Sequence, residues 1–372
     1  MDSNYTDYIK GNSAAVSGGK LWVASNSANV VFAFSLDTYA MDEMIIVQEN
    51  SVNELFSKII SYDNYMFLIP DNANNMWRIN TDNDEIIEID IGLKEEEKGI
   101  KGKFKTAYLW NNRLHLFGHE INACIEYDLD SYDYKRINYE DQNTVIKFSH
   151  VMATDGRFCY LPVADQDMIV KYDCDNRLIS YINVDFNNVH TNFATVIQNH
   201  IIFSISDDSI MLVNLETMSI TTKKMRVLPE DYKNDEAIYR RIIRRGETTI
   251  IIPSAIGELY FSHDDKDYES IKLDDKSYKG KKRGFSRYEF DLLTEDKLYI
   301  QSRVDGEVYE IKLDDLEIIK HMPFITKDAI RIISSNIIKI KNEPIITEEV
   351  DIGLSDFIGF VANGNHNGKE SD

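Results

Sequence analysis

Short apolar runs, each preceded by a turn rich in Asp, Asn or Gly, recur along the whole chain. Each is followed by a polar loop and a second run in which apolar and polar residues alternate, as in Val30–Leu36 and Glu307–Leu313. Alternation with a period of two is typical of strands that are exposed on one face. The pattern therefore predicts β-strands along the chain, with one helical turn within Leu93–Lys103. The seven apolar runs are Lys20–Ala24, Tyr65–Ile69, Arg113–Phe117, Arg157–Leu161, His200–Ser204, Thr248–Ile252 and Lys297–Gln301.

The starts of these seven runs are 43 to 49 residues apart. A steady period in the forties is the spacing of four-stranded propeller blades. The chain resembles the β-propeller superfamily over nearly its whole length, without the Gly-His and Trp-Asp signature of WD40 repeats or the paired glycines of kelch repeats. We therefore predict an all-β fold, a single β-propeller of four-stranded blades over residues 1–361, and a disordered tail over residues 362–372.

A further strand precedes each apolar run and is predicted to be the innermost of its blade. It is clear at Phe56–Ile60, Phe104–Tyr108, Phe148–Met152 and Phe285–Glu289, and looser near His190–Ile197 and Ile238–Ile243.

The ends of the chain leave two blade counts open. Ser13–Ser17 is predicted to be the innermost strand of the first blade, and Ala329–Ser334 with Ile337–Ile340 is predicted to be a C-terminal hairpin. Seven blades plus this hairpin is the first prediction. The alternative is eight blades, the last one shared between the C-terminal strands and Tyr5–Ile9.

Charge and composition narrow the classes of partner. The chain has 63 acidic and 41 basic residues, a net charge of −22, which disfavours nucleic acid and anionic lipid over most of the surface. The polar N-terminus has no signal-peptide pattern, and no apolar run is long enough for a membrane helix. The three cysteines lack metal-ligand spacing, so reduced thiols and a cytoplasmic location are expected.

Positive charge is concentrated at the start of two neighbouring units. Tyr239–Arg245 opens the sixth, and residues 276–287 open the seventh. Together they predict a patch that attracts an anionic ligand at the mouth of the central channel. The alternative is that these charges are solvated or paired with local carboxylates. The candidate ligand-binding residues are Lys58, His150, His190, Tyr239, Arg240, Arg241, Arg244, Arg283, Arg287 and Tyr288.

No motif in the sequence indicates a reaction, a cofactor or a metal site. The Asp-rich segments are explained by the preference of Asp for turns. The first hypothesis is a non-catalytic binding or scaffolding propeller for a protein, a peptide, or an anionic small molecule or glycan. The alternative is a lyase, hydrolase or isomerase that acts on a carbohydrate or modified peptide through His150, His190, Arg240 and Arg287. A third reading is a sugar-binding protein, with Tyr108, Trp110, Tyr239 and Tyr288 as stacking residues.

Overall fold

The computed structural model consists of consecutive four-stranded sheets. It describes residues 11–26, 28–49, 54–139, 146, 148, 151–163, 166–184, 193–205, 209–225, 227–228, 239–274 and 286–341. Every sheet pairs its strands in chain order, and every strand pair is antiparallel.

The first four blades follow one another along the chain. Blade 1 contains β1 (Gly11–Ser17), β2 (Lys20–Ser25), β3 (Val30–Ser35) and β4 (Met41–Ile46). Blade 2 contains β5 (Phe56–Tyr62), β6 (Tyr65–Pro70), β7 (Met76–Asn80) and β8 (Ile86–Ile89), and is followed by the short helix α1 (Glu95–Lys98). Blade 3 contains β9 (Phe104–Trp110), β10 (Arg113–Gly118), β11 (Ala123–Asp128) and β12 (Tyr134–Asn138). Blade 4 contains β13 (Ala153–Thr154), β14 (Phe158–Pro162), β15 (Met168–Asp173) and β16 (Leu178–Asn183).

The last three blades repeat this order. Blade 5 contains β17 (Ala194–Ile197), β18 (His200–Ile205), β19 (Ser209–Asn214) and β20 (Ile220–Lys224). Blade 6 contains β21 (Tyr239–Arg245), β22 (Thr248–Pro253), β23 (Glu258–Ser262) and β24 (Glu269–Lys272). Blade 7 contains β25 (Tyr288–Leu293), β26 (Lys297–Ser302), β27 (Val308–Lys312) and β28 (Ile318–His321), and helix α2 (Lys327–Lys341) follows it.

The seven four-stranded antiparallel blades confirm the predicted all-β propeller, with seven blades instead of the alternative eight. The helical turn at α1 is also present. The predicted C-terminal hairpin is wrong, because Ala329–Ser334 and Ile337–Ile340 lie within α2. Ala329, Ile330 and Ile333 recur at helical spacing, but the β-branched isoleucines favoured a strand interpretation. Tyr5–Ile9 and residues 362–372 lie outside the described residues.

Contacts divide the chain into two compact units. The first comprises residues 1–101 and 288–372, and so holds blades 1, 2 and 7 with α2; the second comprises residues 102–287 and holds blades 3 to 6. In the first unit, innermost strand β1 contacts both β5 and β25; in the second, β17 contacts β13 and β21. The single domain over residues 1–361 stays a prediction.

Blades 1 and 7 meet within the first unit, and in the described part of the chain they do so without exchanging a strand. Its core includes Phe32 and Tyr39 of blade 1, Val308 of blade 7, and Ala329 and Ile333 of α2. Helix α2 begins after Thr326, whose Oγ1 accepts a hydrogen bond from the Ala329 N–H at 3.2 Å. Apolar packing and the capped helix thus close the junction.

A buried polar cluster crosses the same junction. The Tyr39 hydroxyl donates to Glu310 Oε2 at 3.0 Å, and Lys297 Nζ lies 2.8 Å from the other carboxylate oxygen. The His321 ring stacks on Tyr39 with centroids 3.6 Å apart. Tyr39 is only 1% exposed, and its φ of 54° is typical of the turn, because Tyr132 has a φ of 62° at the same position after the third strand of its blade. Burial, followed by the nearby Glu310, raises the pKa of Tyr39, which therefore stays a hydrogen-bond donor.

Replacing Tyr39 by Phe should test this junction. The variant removes one donor from a buried carboxylate, and we expect a loss of about 2 kcal/mol in the free energy of unfolding, measured by urea denaturation. Tyr132→Phe is the matched control, because Tyr132 also has a positive φ in a hairpin turn but is 56% exposed. It should change stability by less than about 0.5 kcal/mol. Equal losses in the two variants would show that the contact with Glu310 contributes nothing specific.

Candidate functional site

The start of β21 presents two arginines at a distortion of the strand. Tyr239 pairs with Pro253 and Arg241 pairs with Ile252, so Arg240 is an extra residue, a β-bulge. A bulge twists the strand locally and redirects a side chain. Arg240 and Arg241 are both half-buried. The bulge therefore places two consecutive, half-buried arginines at one end of an innermost strand.

Tyr239 anchors this strand against the preceding blade. Its ring is fully buried in a cluster with Ile242 and Phe193, and its backbone N–H donates to Ser204 Oγ of blade 5 at 3.3 Å. A ring with no exposed surface holds the strand in place and offers no stacking face in this conformation.

Arg244 and Arg245 lie at the opposite end of β21. Arg244 Nη1 donates to Asp265 Oδ1 at 2.9 Å and also contacts the Thr249 hydroxyl, while its Nε donates to the Gly246 carbonyl at 3.1 Å. A strand rises about 3.3 Å per residue, so this end lies about 10 Å from Arg241. The structure thus divides the basic stretch into two separate pairs.

Arg287 is committed to an internal ion pair. It is 2% exposed, its Nη2 contacts Asp274 Oδ1, and its backbone N–H donates to the Ser254 carbonyl at 2.6 Å. Gly257 makes room for the pair, because a Cβ there would lie 3.2 Å from both Arg287 Nη2 and Asp274 Oδ1. Asp274 therefore balances the Arg287 charge locally. The sequence showed Asp274 just before the basic segment, but its contact with Arg287 depends on the fold.

The other candidate residues are separated or lie outside the described residues. In the first unit, Lys58 is half-buried on β5, directly after the bulged residue Ser57, and Tyr288 is fully buried at the start of β25. His150, His190 and Arg283 lie outside the described residues. The binding roles of all ten candidates stay predictions.

His115 is a buried, neutral histidine in the second unit. The side chain is fully buried on β10. Its Nδ1 lies 3.3 Å from the Tyr172 hydroxyl and 3.9 Å from Glu126 Oε2. Glu126 is occupied by Arg177, which donates to its two oxygens at 2.8 and 2.7 Å. Burial lowers the pKa of His115 to about 4, although Glu126 acts in the opposite direction. The imidazole is therefore uncharged at neutral pH.

Metal-binding clusters and membrane-spanning helices are both absent from the part of the chain that the structure describes. No group of three or more His, Cys, Asp or Glu side chains there is arranged to hold a metal ion. Within those same residues, neither helix is long and apolar enough to cross a membrane. The three cysteines are free and buried, and the sulfur atoms of Cys159 and Cys174 lie 3.6 Å apart.

Several known structures have a fold similar to that of this chain. The chain aligns over 82% of its length with 94% of a catalytically inactive virginiamycin B lyase from Staphylococcus aureus with quinupristin, at 13% identity and a TM-score of 0.59. It aligns over 86% of its length with all of Hsv2 from Kluyveromyces lactis, at 9% identity and a TM-score of 0.52. BamB from Moraxella catarrhalis aligns at 11% identity and a TM-score of 0.50, with 82% of this chain and 85% of that chain covered.

The chain has the β-propeller fold. No protein-family model and no curated protein sequence matches it. At identities of 9 to 13%, these structures define the architecture of the propeller and not its ligand.

His115 should make stability depend on pH. Its pKa is lower in the folded protein than the usual 6.5, so the unfolded chain binds a proton first and stability falls as the pH drops from about 6.5 to about 4. We expect His115 to account for about 3 kcal/mol of that loss. Urea denaturation of His115→Gln across this range should show a flatter profile than the wild type. The exposed His263→Gln is the control, and a wild-type slope in both variants would contradict the assignment.

The Arg287–Asp274 pair should matter for folding. Arg287→Met leaves a buried carboxylate without its cation, and we expect a loss of about 3–5 kcal/mol in urea denaturation. Adding Asp274→Leu should recover much of that loss, because both charges are then removed. The exposed Arg245→Met removes the same charge and should cost less than about 0.5 kcal/mol. If Arg287→Met behaved like Arg245→Met, the pair would have no structural role.

Proposed function

We propose that this protein is a non-catalytic binding propeller that recognises an anionic group on a peptide, protein or small molecule through Arg240 and Arg241. The observation that carries the proposal is the bulge at the start of β21, where two consecutive arginines are half-buried. Guanidinium groups suit carboxylate and phosphate because their planar donors match two oxygens at once.

The ion pairs made by the other arginines support the choice of Arg240 and Arg241. Arg244 is bonded to Asp265 and Arg287 to Asp274, so their charges are largely balanced within the second unit. Arg240 and Arg241 also take part in interactions within the chain, and a ligand anion would extend or replace these. Partial burial strengthens such contacts, because water screens them less than it screens exposed charges.

The net charge of −22 sharpens the expected specificity. A local pair of arginines in an acidic protein attracts small anionic groups, whereas a long polyanion such as nucleic acid is repelled by the surrounding surface. The alternative, an enzyme acting through His150, His190, Arg240 and Arg287, stays a prediction, because His150 and His190 lie outside the described part of the chain. The cytoplasmic location remains part of the proposal and is supported by three buried free cysteines.

Calorimetric titration tests the role of the two arginines. Inorganic pyrophosphate and a hexaglutamate peptide serve as probes of phosphate and carboxylate recognition. We expect the double variant Arg240→Ala/Arg241→Ala to bind at least about tenfold more weakly than the wild type, a change of about 1.4 kcal/mol. Its affinity should also depend less on salt, since two charge contacts are lost.

The same strand supplies the control. Arg244→Ala/Arg245→Ala removes an equal charge from the other end of β21 and should bind both probes nearly as the wild type does. Equal weakening in the two double variants would point to overall charge instead of a site. Failure of the wild type to bind either probe would reject the proposal.

A further inference from the structure

The end of β9 carries an aromatic pair beside a carboxylate of the next blade, all within the second unit. Tyr108 and Trp110 are two residues apart, so both project from the same face of the strand. Their ring centroids are 6.4 Å apart and their planes differ by 16°. The Trp110 indole N–H donates to Asp175 Oδ1 at 2.8 Å, across the boundary between blades 3 and 4.

The Trp110 ring is held on two edges before any ligand arrives. Its benzene edge lies against Gly156, where a Cβ would be 3.4 Å from Cζ3, and its N–H edge is fixed by Asp175. Gly156 has a φ of 104°, a conformation that other residues rarely adopt. A ring already fixed in one orientation loses little conformational entropy on binding.

Trp110 differs from the other two tryptophans in its exposure. Trp22 is fully buried and Trp77 is 7% exposed, whereas Trp110 is half-buried, packed on one side against the core between blades 3 and 4. It therefore offers solvent a partly exposed, rigid aromatic surface with a polar edge. Such surfaces suit ligands that have an apolar face and hydroxyl groups at its margin.

The polar groups at this edge include both donors and acceptors. Asp175 Oδ1 also accepts from Asn111 Nδ2 at 3.1 Å, and its other oxygen lies 3.4 Å from Arg157 Nε. Arg157 is itself paired with Asp173, so the carboxylates of Asp173 and Asp175 outnumber the one local arginine. This excess of negative charge disfavours a phosphate or carboxylate ligand and favours a neutral one.

We propose that this corner is a second binding site, for a neutral sugar unit of an oligosaccharide. The apolar C–H face of a pyranose ring packs on Trp110, with Tyr108 extending the aromatic surface. Sugar hydroxyl groups donate to Asp175 and accept from Asn111 and Arg157, as their donor and acceptor roles allow. This site is separate from Arg240 and Arg241 and does not depend on the function proposed for them.

Tryptophan fluorescence reports on the site directly, because Trp110 is the one tryptophan of three with substantial exposure. The full chain is titrated with maltotetraose, cellotetraose and tetra-N-acetylchitotetraose, all neutral. We expect a saturable change in emission, and protection from acrylamide quenching, with at least one of these probes. Trp77→Phe keeps Trp110 and should respond as the wild type does.

Two variants probe the site with little disturbance of the blades. Trp110→Phe keeps an aromatic ring but loses area and the bond to Asp175, and calorimetry should show affinity about tenfold weaker for the probe that binds. Asp175→Asn keeps the size of the side chain and should also weaken binding. Arg240→Ala should leave sugar binding unchanged.

Three results would overturn this proposal. The first is the absence of any saturable response to the three neutral probes. The second is binding that survives both Trp110→Phe and Asp175→Asn at wild-type affinity. The third is a preference for an anionic saccharide that Arg240→Ala abolishes, which would assign the sugar to the arginine pair instead.

Discussion

The junction between the first and last blades is the constraint on which the fold depends. A propeller must bring two ends of its chain together, because an unclosed blade would leave a sheet edge and an apolar face exposed. Here β1–β4 and β25–β28 are each continuous in sequence, so among the residues that the structure describes no shared strand locks blade 1 to blade 7. Apolar packing, helix α2 and the Tyr39–Glu310 bond together perform that task within the first unit. Closure therefore rests mainly on side chains, joined by a backbone hydrogen bond from the Phe324 N–H to the Tyr39 carbonyl at 3.4 Å.

The same device recurs once inside the second unit. Tyr39 is the fourth residue after β3, and Arg177 is the fourth after β15; both have positive φ, 54° and 60°. Each reaches a buried glutamate at the same position of the third strand of the neighbouring blade, Glu310 for Tyr39 and Glu126 for Arg177. In these two blades the hairpin residue thus fastens one blade to another. The positive φ belongs to the turn itself, because the exposed Tyr132 has it at the same position of its hairpin.

The sequence revealed the blades because their signal is local. Apolar alternation and Asp-rich turns act within ten or so residues, and they placed β2, β6 and β10 within one or two residues of their observed ends. Helix α2 was missed because its isoleucines suit a strand as well as a helix, and only packing against Val308 and Tyr39 decides between them. The local sequence pattern therefore distinguishes a helix from a strand least well where either one would bury the same apolar residues.

The candidate site was less predictable, because charge pairing depends on distant residues. Arg240, Arg244 and Arg287 look alike in sequence, yet one lies at a bulge, one is bonded to Asp265 and one is buried with Asp274. The buried, structural position of Tyr239 could have been predicted from the sequence. Phe56 and Phe104 open their innermost strands at the same position and are also buried, which indicates a core anchor in these blades.

The acidity of the chain has a structural origin that changes how its charge should be interpreted. Backbone N–H groups of the turn hold the pKa of Asp128 and of Asp264 below the usual range, and Arg157 is the main cause for Asp173. These carboxylates cap the hairpin turns that end the strands, so the repeat itself requires them. Part of the negative charge thus follows from the Asp-rich turns. Some positive charge follows the repeat as well. Arg113 opens the second strand of its blade and pairs with Asp128, and Arg157 directly precedes the second strand of its blade and pairs with Asp173. The arginines that no turn requires are therefore the better guide to function.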